Sequence, residues 1–315
     1  MTVMYEPTLL REPPPVDLAP TPAAVVQPLS AASLQAVHGA YAAGLIEPIV
    51  IGDRHGFLEL CRRHNLSPPE WTFHDADNDD AAAELAASMA ATGDVGMVIK
   101  GNIKTAILMR AVLRDRSKRA TTSGRLSHVF ALYLPEEIYH KPLYVTDGAI
   151  NVAPSADLKE VIANNAIDLL RASGILRPKV ALLSAAETST TAMPSSVEAA
   201  DVGARIADRA DVLGPVALDI ALSIDAAVVK GIQSPVAGDV DLLVCPNIET
   251  GNAVVKMAAR HPRTVVAGLV VGGSYPIVLP SRGDSSRSQL ASCGLGRKYL
   301  AWSEYNRRRV QPIQP

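Results

Sequence analysis

The stretch Pro280-Ser281-Arg282-Gly283-Asp284-Ser285 sets a hydroxyl, a guanidinium and a carboxylate within four residues, on a loop with a glycine. That is compact enough to surround one reacting centre. An arginine there suits a phosphate, because its planar fork donates two parallel hydrogen bonds. A second polar stretch, Lys100-Gly101-Asn102-Ile103-Lys104-Thr105, follows a β-branched run and leads into Ala106 to Leu113, with Arg110 on the expected helix. A strand running into a helix start presents free N–H groups, and Lys100, Lys104 and Arg110 beside it can hold an anion. Solvated basic residues would write the same text, and the spacing is not the GxxxxGK[ST] of a nucleotide-triphosphate loop.

Three more clusters carry polar groups. Arg125-Leu126-Ser127-His128 opens a strand, where His128 is either an acid or base near neutral pH or a structural histidine. Asp147-Gly148-Ala149-Ile150-Asn151 follows the run Leu143 to Thr146, and ligands of α/β proteins sit past the carboxyl ends of parallel strands. A turn alone would also explain Asp147 and Asn151. Finally Pro246-Asn247-Ile248-Glu249-Thr250-Gly251-Asn252 ends a short strand, and Asn252 either contacts a ligand or caps the next helix.

These clusters are spaced by the elements that must carry them. Runs at Ile49 to Ile51, Val95 to Ile99, His128 to Leu134, Leu143 to Thr146, Val180 to Ser184, Leu242 to Cys245 and Val265 to Val271 read as strands. Amphipathic segments at Asp80 to Ala91 and Leu158 to Ala172 read as crossover helices, and Val197 to Val212 as a surface helix capped by Ser195 or Ser196. Alternating strands and helices are the text of an α/β fold with parallel-rich sheets. Residues 1–24, rich in proline, are expected to be a flexible arm. Breaks near Pro142 and Gly268 divide the rest into domain I, residues 25–141 with 269–315, and domain II, residues 142–268, which implies two lobes and an interdomain cleft.

Composition narrows the classes. The chain has 315 residues, 48% hydrophobic, with 30 Lys and Arg against 32 Asp and Glu, so no net field draws it to nucleic acid or an anionic membrane. The apolar run Val265 to Val271 soon meets Gly272 and Gly273, well short of the roughly 18 residues a membrane span needs. Cys61, Cys245 and Cys293 are too scattered for a zinc site or a disulfide scaffold. No metal site is expected. The amino-terminal text, interrupted by Glu6, Arg11 and Glu12, lacks a secretory signal, and a cytoplasmic location follows as the expectation.

The ordered segments KGNIKTAILMRAVL, RLSHVFAL, YVTDGAINVAPSADLK, PKVALLSAAE, MPSSVEAA, GPVALDIALS, SPVAGDVDLLVCPNIETGN and GGSYPIVLPSRGDS resemble the phosphate acetyltransferase and phosphate butyryltransferase family, with GPVALDIALS and SRGDS closer to the butyryl branch. The resemblance implies two α/β lobes like those of isocitrate and isopropylmalate dehydrogenases, and a homodimer. It implies interconversion of acyl-CoA plus phosphate with acyl phosphate plus CoA, with coenzyme A a substrate and no other cofactor. By the same resemblance Ser281 and Arg282 contact the reacting acyl phosphate, and Arg110 binds phosphate. Acetyl-type members have an aspartate seven positions after the serine where this chain has Ser288, so Asp284 is the carboxylate expected to act as base. Lys104, Ser127, His128 and Asn252 complete the candidate substrate contacts. Two alternatives stay open: a CoA-binding relative without activity, and a nicotinamide-dependent dehydrogenase on the same scaffold.

Overall fold

The computed structural model describes residues 19–66, 71–115, 124–281 and 283–310. The described residues form two compact units, one holding residues 19–124 together with those from Val266 onward, the other Arg125–Val265. In chain order the first unit begins with β1 (Thr21–Val26), α1 (Ala31–Ala42), β2 (Ile46–Gly52), α2 (Arg54–Arg63), β3 (Thr72–Asp75), α3 (Asp79–Thr92), β4 (Met97–Lys100) and α4 (Thr105–Asp115). The second unit follows with β5 (Ser127–Tyr133), β6 (Leu143–Thr146), α5 (Ala156–Ala172), β7 (Lys179–Leu183), α6 (Pro194–Ile206), β8 (Asp211–Val216), α7 (Leu218–Leu222), α8 (Ile224–Val229), β9 (Leu242–Val244) and α9 (Ile248–Ala258). The chain returns to the first through β10 (Val265–Val271), β11 (Ile277–Val278) and α10 (Ser286–Val310).

In the first unit the strand order is β3-β2-β1-β4-β11-β10. All neighbours are parallel except β10 and β11, which form an antiparallel pair. Thr21 to Ala24 are therefore not part of an arm: β1 lies between β2 and β4, and Ala23 to Val26 are fully buried. The sheet tolerates Pro22 near the strand's start because only its carbonyl is called on, by the N–H of Gly96 at 2.9 Å. Burying four consecutive apolar residues on both faces is what a central parallel strand requires.

In the second unit the order is β5-β6-β9-β7-β8, with β5 antiparallel to β6 and the rest parallel. The boundary between units falls at Gly124 and Arg125 and not near Pro142, because the ladder from Val129↔Thr146 to Leu132↔Leu143 holds β5 and β6 in one hairpin. The helix expected over Val197 to Val212 also differs. It spans Pro194–Ile206 without a side-chain cap, and Asp211–Val216 forms an edge strand beside β7. Ser196 is buried, with its hydroxyl donating to the carbonyls of Thr190 and Met193 and accepting from the N–H of Thr190, so it shapes the preceding loop.

Helix α10 packs the carboxyl-terminal text back onto the first unit. Its Arg297, 5% exposed, donates to the carbonyls of Leu45 and Ala19 and so clasps the entrances of β1 and β2. Among the described residues no helix is long and apolar enough to cross a membrane.

At the outer end of the first sheet, His38 of α1 lies 4.9 Å from the Trp71 ring, and among the described residues its buried Nε2 has no hydrogen-bond partner. Burial lowers its pKa from the ordinary 6.5. The unfolded chain therefore binds more protons than the folded one below about pH 6.5, and stability falls with pH from there towards the folded value. Chemical unfolding followed from about pH 7 to about pH 5 should show a steeper loss for the wild type than for His38→Leu. Superimposable profiles would contradict this account of His38.

Candidate active site

Parallel pairing of β4 with β11, Val98↔Ile277 and Ile99↔Val278, brings the carboxyl ends of both strands to one edge of the first unit. The loop Gly101 to Lys104 leaves one of them and the loop Pro280 to Ser285 leaves the other. Lys100, the last residue of β4 and 3% exposed, ties them: its Nζ donates to the carbonyl of Pro280 and to that of Gly101, each at 3.3 Å. The two polar stretches that most suggested anion chemistry thus meet through a buried ammonium. Lys104 is exposed at the start of α4, where helix N–H groups and the positive end of the helix dipole favour an anion.

Arg110 is also exposed and pairs with Asp80 at the start of α3, 3.6 Å away. Exposed pairs of this kind are worth about 0–1 kcal/mol, so a phosphate can compete for the guanidinium. Arg282 lies outside the described residues.

The loop after β11 is shaped by its own carboxylate. Asp284 Oδ2 accepts from the Ser281 N–H at 2.7 Å, while the Asp284 N–H donates to the Ser281 carbonyl at 3.1 Å. Asp284 therefore holds the backbone of Ser281, a tie that its spacing in the sequence leaves unstated. Ser288 is 5% exposed, and its hydroxyl accepts from the N–H of Val266. One turn on, Ser292 accepts from Gly268. β11 reaches only Leu269 and Val270 of β10, so these two hydroxyls supply acceptors that a longer neighbouring strand would have provided. Ser288 holds α10 to β10, which is a structural use of the position.

In the second unit the carboxyl edge collects the start of β5 and the ends of β6 and β9. Asp147, 3% exposed, is its centre. Oδ1 accepts from the N–H groups of Ala149 and Ile150 at 2.9 and 3.0 Å. Oδ2 accepts from the His128 N–H at 3.1 Å and from Asn151 Nδ2 at 2.7 Å. Four donors on one carboxylate satisfy a buried charge, which would otherwise be strongly unfavourable. Ser127 and His128 are both fully buried: the Ser127 hydroxyl accepts from Asn165 Nδ2, and the His128 ring packs 4.2 Å from Phe130. Neither side chain is at the surface. Their place is beneath the Asp147 loop.

Asn252 is exposed but does not cap α9; Asn247 does, accepting from the N–H of Thr250. Asn252 Nδ2 donates instead to the Gly148 carbonyl at 3.1 Å. The contact depends on a missing side chain, since a Cβ on Gly251 would lie 2.4 Å from the Asp147 carbonyl oxygen. Beneath this junction the Cys245 thiol is pushed up to about 12, first by burial and then by the Asp147 charge, so it stays protonated and is no nucleophile at neutral pH.

Residues 71–293 match the family described as phosphate acetyl/butaryl transferase. The chain belongs to that family of acyltransferases. It is 37% identical over 288 residues to a phosphate acetyltransferase of Rhizobium meliloti, covering 90% of each chain. Against a phosphate butyryltransferase of Clostridium acetobutylicum it is 35% identical, covering 83% of this chain and 87% of the relative. A solved branched-chain phosphotransacylase from Enterococcus faecalis V583 superposes with a TM-score of 0.76 at 32% identity, over 89% of this chain and 99% of that one. The likeness spans both units, and with it the dehydrogenase alternative loses its place to the acyltransferase reading.

Of the candidate residues, Lys104 and Ser281 share the edge of the first unit, Asp284 shapes the Ser281 loop, and Arg110 stands nearly two turns farther along α4. Ser127, His128 and Asn252 share the edge of the second. Lys100, read with Lys104 and Arg110 as able to hold an anion, is buried between the two loops, as its position closing a hydrophobic strand favours. Asn165 went unnoticed, a buried amide in the apolar face of α5 between Ile162 and Leu169. Gly251→Ala should lower stability by on the order of 1–3 kcal/mol, because backbone must move to admit the methyl. Urea unfolding measures this, and a wild-type midpoint would show that α9 and the Asp147 loop part without cost.

Proposed function

We propose that this acyltransferase interconverts acyl-CoA plus phosphate with acyl phosphate plus CoA, and that the edge formed by the loops after β4 and β11 holds the phosphoryl group. The observation that carries the reading is the Lys100 ammonium bound to carbonyls of both loops, which keeps Ser281 beside the start of α4. In the direction of acyl-CoA synthesis, the CoA thiol attacks the acyl carbonyl within a ternary complex. The S–C bond forms as the C–O bond to phosphate breaks, and that electron pair leaves with the phosphate.

A thiol of pKa about 8.5 is only a few per cent ionised at pH 7, so a base must take its proton. Asp284 is the proposed base, supported by its position three residues from Ser281 and by its shared hydrogen bonds with that residue. The Ser281 hydroxyl and loop N–H groups would stabilise charge on the carbonyl oxygen, a single such donor being worth about 3 kcal/mol. Arg282, Lys104 and Arg110 would neutralise and orient the leaving phosphate. Fixing both substrates in line replaces a bimolecular encounter and supplies much of the rate enhancement.

Ser127, His128 and Asn252 would act as substrate-binding residues in the second unit, Asn252 through its bond to the loop after β6. A cytoplasmic homodimer, with no nucleic acid, membrane or metal among its partners, completes the reading. Ile224, Val228 and Val229 on α8, 57%, 70% and 86% exposed, support a contact between copies. The lobes are proposed to resemble those of isocitrate and isopropylmalate dehydrogenases.

Phosphate-dependent release of CoA from acetyl-, propionyl-, butyryl- and longer acyl-CoA tests the assignment, with turnover expected on at least one. Arg282→Ala should lower kcat/KM a hundredfold or more on that substrate, on the order of 3 kcal/mol; unchanged turnover would remove Arg282 from the mechanism. Asp284→Asn keeps an acceptor for the Ser281 N–H and removes the titrating group. The acid limb of its pH-rate profile should flatten, whereas a profile matching the wild type would deny Asp284 the role of base.

A further inference from the structure

Gln27 closes β1 with a backbone φ of 51°, in the left-handed region that residues with side chains seldom occupy. It is 6% exposed. Such a conformation persists only where the surroundings over-determine it, and it marks positions worth testing for function. Here the surroundings are the starts of three helices. The Gln27 side-chain oxygen accepts from the N–H of Asp53, the capping residue of α2, at 3.0 Å. Its amide nitrogen donates to Oδ1 of Asp79, first residue of α3, at 3.3 Å. Its carbonyl accepts from the N–H of Asn102 at 2.6 Å, in the loop that enters α4.

The last contact sets the height of the anion loop. The N–H of Gly101 donates to the Val26 carbonyl at 2.8 Å, so the loop is pinned to the end of β1 by two consecutive donors. The approach is so close that a Cβ on Gly101 would fall 2.4 Å from the Gln27 carbonyl oxygen. On the other side of that loop stand Lys100 and the Pro280 carbonyl. Gln27 is thus the only described residue whose side chain joins α2 to α3 while its carbonyl holds the segment leading to Lys104.

We propose that Gln27 is a positioning residue for phosphate, acting through the Gly101 to Lys104 loop; this rests on the reading of that loop as the phosphoryl site. It does not touch the substrate. Its side chain fixes the orientation of its own carbonyl, and the carbonyl aims the loop.

Gln27→Glu tests this. With two carboxylates facing each other at positions 27 and 79, one must take up a proton, and the paired geometry survives only in acid. The KM for phosphate should match the wild type near pH 5.5 and rise roughly tenfold near pH 8, while the KM for acyl-CoA changes little. The double variant Gln27→Glu with Asp79→Asn restores an acceptor at 27 and a donor at 79, and should bring the phosphate KM back to within about twofold at both pH values. A merely structural glutamine would shift melting temperature without this pH-dependent separation of the two KM values. If the phosphate KM moves no more than that for acyl-CoA, or if the double variant fails to restore it, the inference is overturned. Should Gln27→Glu not fold, Gln27→Gly, which suits the left-handed backbone, should raise the phosphate KM selectively; an unchanged value overturns the proposal equally. Lys104→Ala separates the two layers of argument. A raised phosphate KM there, with none in the Gln27 variants, defeats the role of Gln27 alone. An unchanged value defeats the phosphoryl loop and the inference with it.

Discussion

A single ammonium at the end of a buried strand organises the edge where the loops after β4 and β11 leave the first unit's sheet. β4 and β11 run parallel, so the chain leaves both strands on the same side, and Lys100 is left in the interior where its charge must be answered. It is answered by carbonyl groups of the two departing loops. Moving a cation out of water is unfavourable unless donors and acceptors close around it, and that demand draws the Ser281 loop towards the start of α4. The positive field at the edge then comes with the arrangement, because the helix start and Lys104 lie beside the same junction.

The second unit solves the opposite problem with the opposite charge. Asp147 is a buried carboxylate, and its four donors come from three places: its own turn, the start of β5, and Asn151. Asn151 also donates to the Leu126 carbonyl, so the turn after β6 and the entrance to β5 behave as one piece. The absence of side chains at Gly148 and Gly251 lets α9 close on that piece from the other side. Glycines and an aspartate that look like turn punctuation are, in three dimensions, the joint between two strand ends and a helix.

Much of the fold was legible because its strands are buried on both faces and so are written as uninterrupted β-branched runs, as at Val265 to Val271. The strands that escaped were those without such runs. β1 carries Pro22 and two alanines, β3 is a four-residue edge with exposed Thr72 and Asp75, β8 contains Gly214-Pro215, and β11 has two residues. The candidate site's residues stand out in the sequence as polar text at strand ends. What each residue does there was less so: Asp284 proved to hold Ser281, and Ser288 to hold β10, through partners that no spacing rule names.

The order of polar clusters, the alternation of strand and helix, and the family likeness follow from the linear text, since local periodicity and short motifs are properties of neighbours in sequence. Which strands became neighbours is another matter. Lys100 and Pro280 are 180 residues apart, and Gln27 meets Asp79 across 52. Only the packed sheet, by pairing β4 with both β1 and β11, decided that these groups share one edge, because hydrogen-bonded register and the burial of charge are settled between segments and not within them.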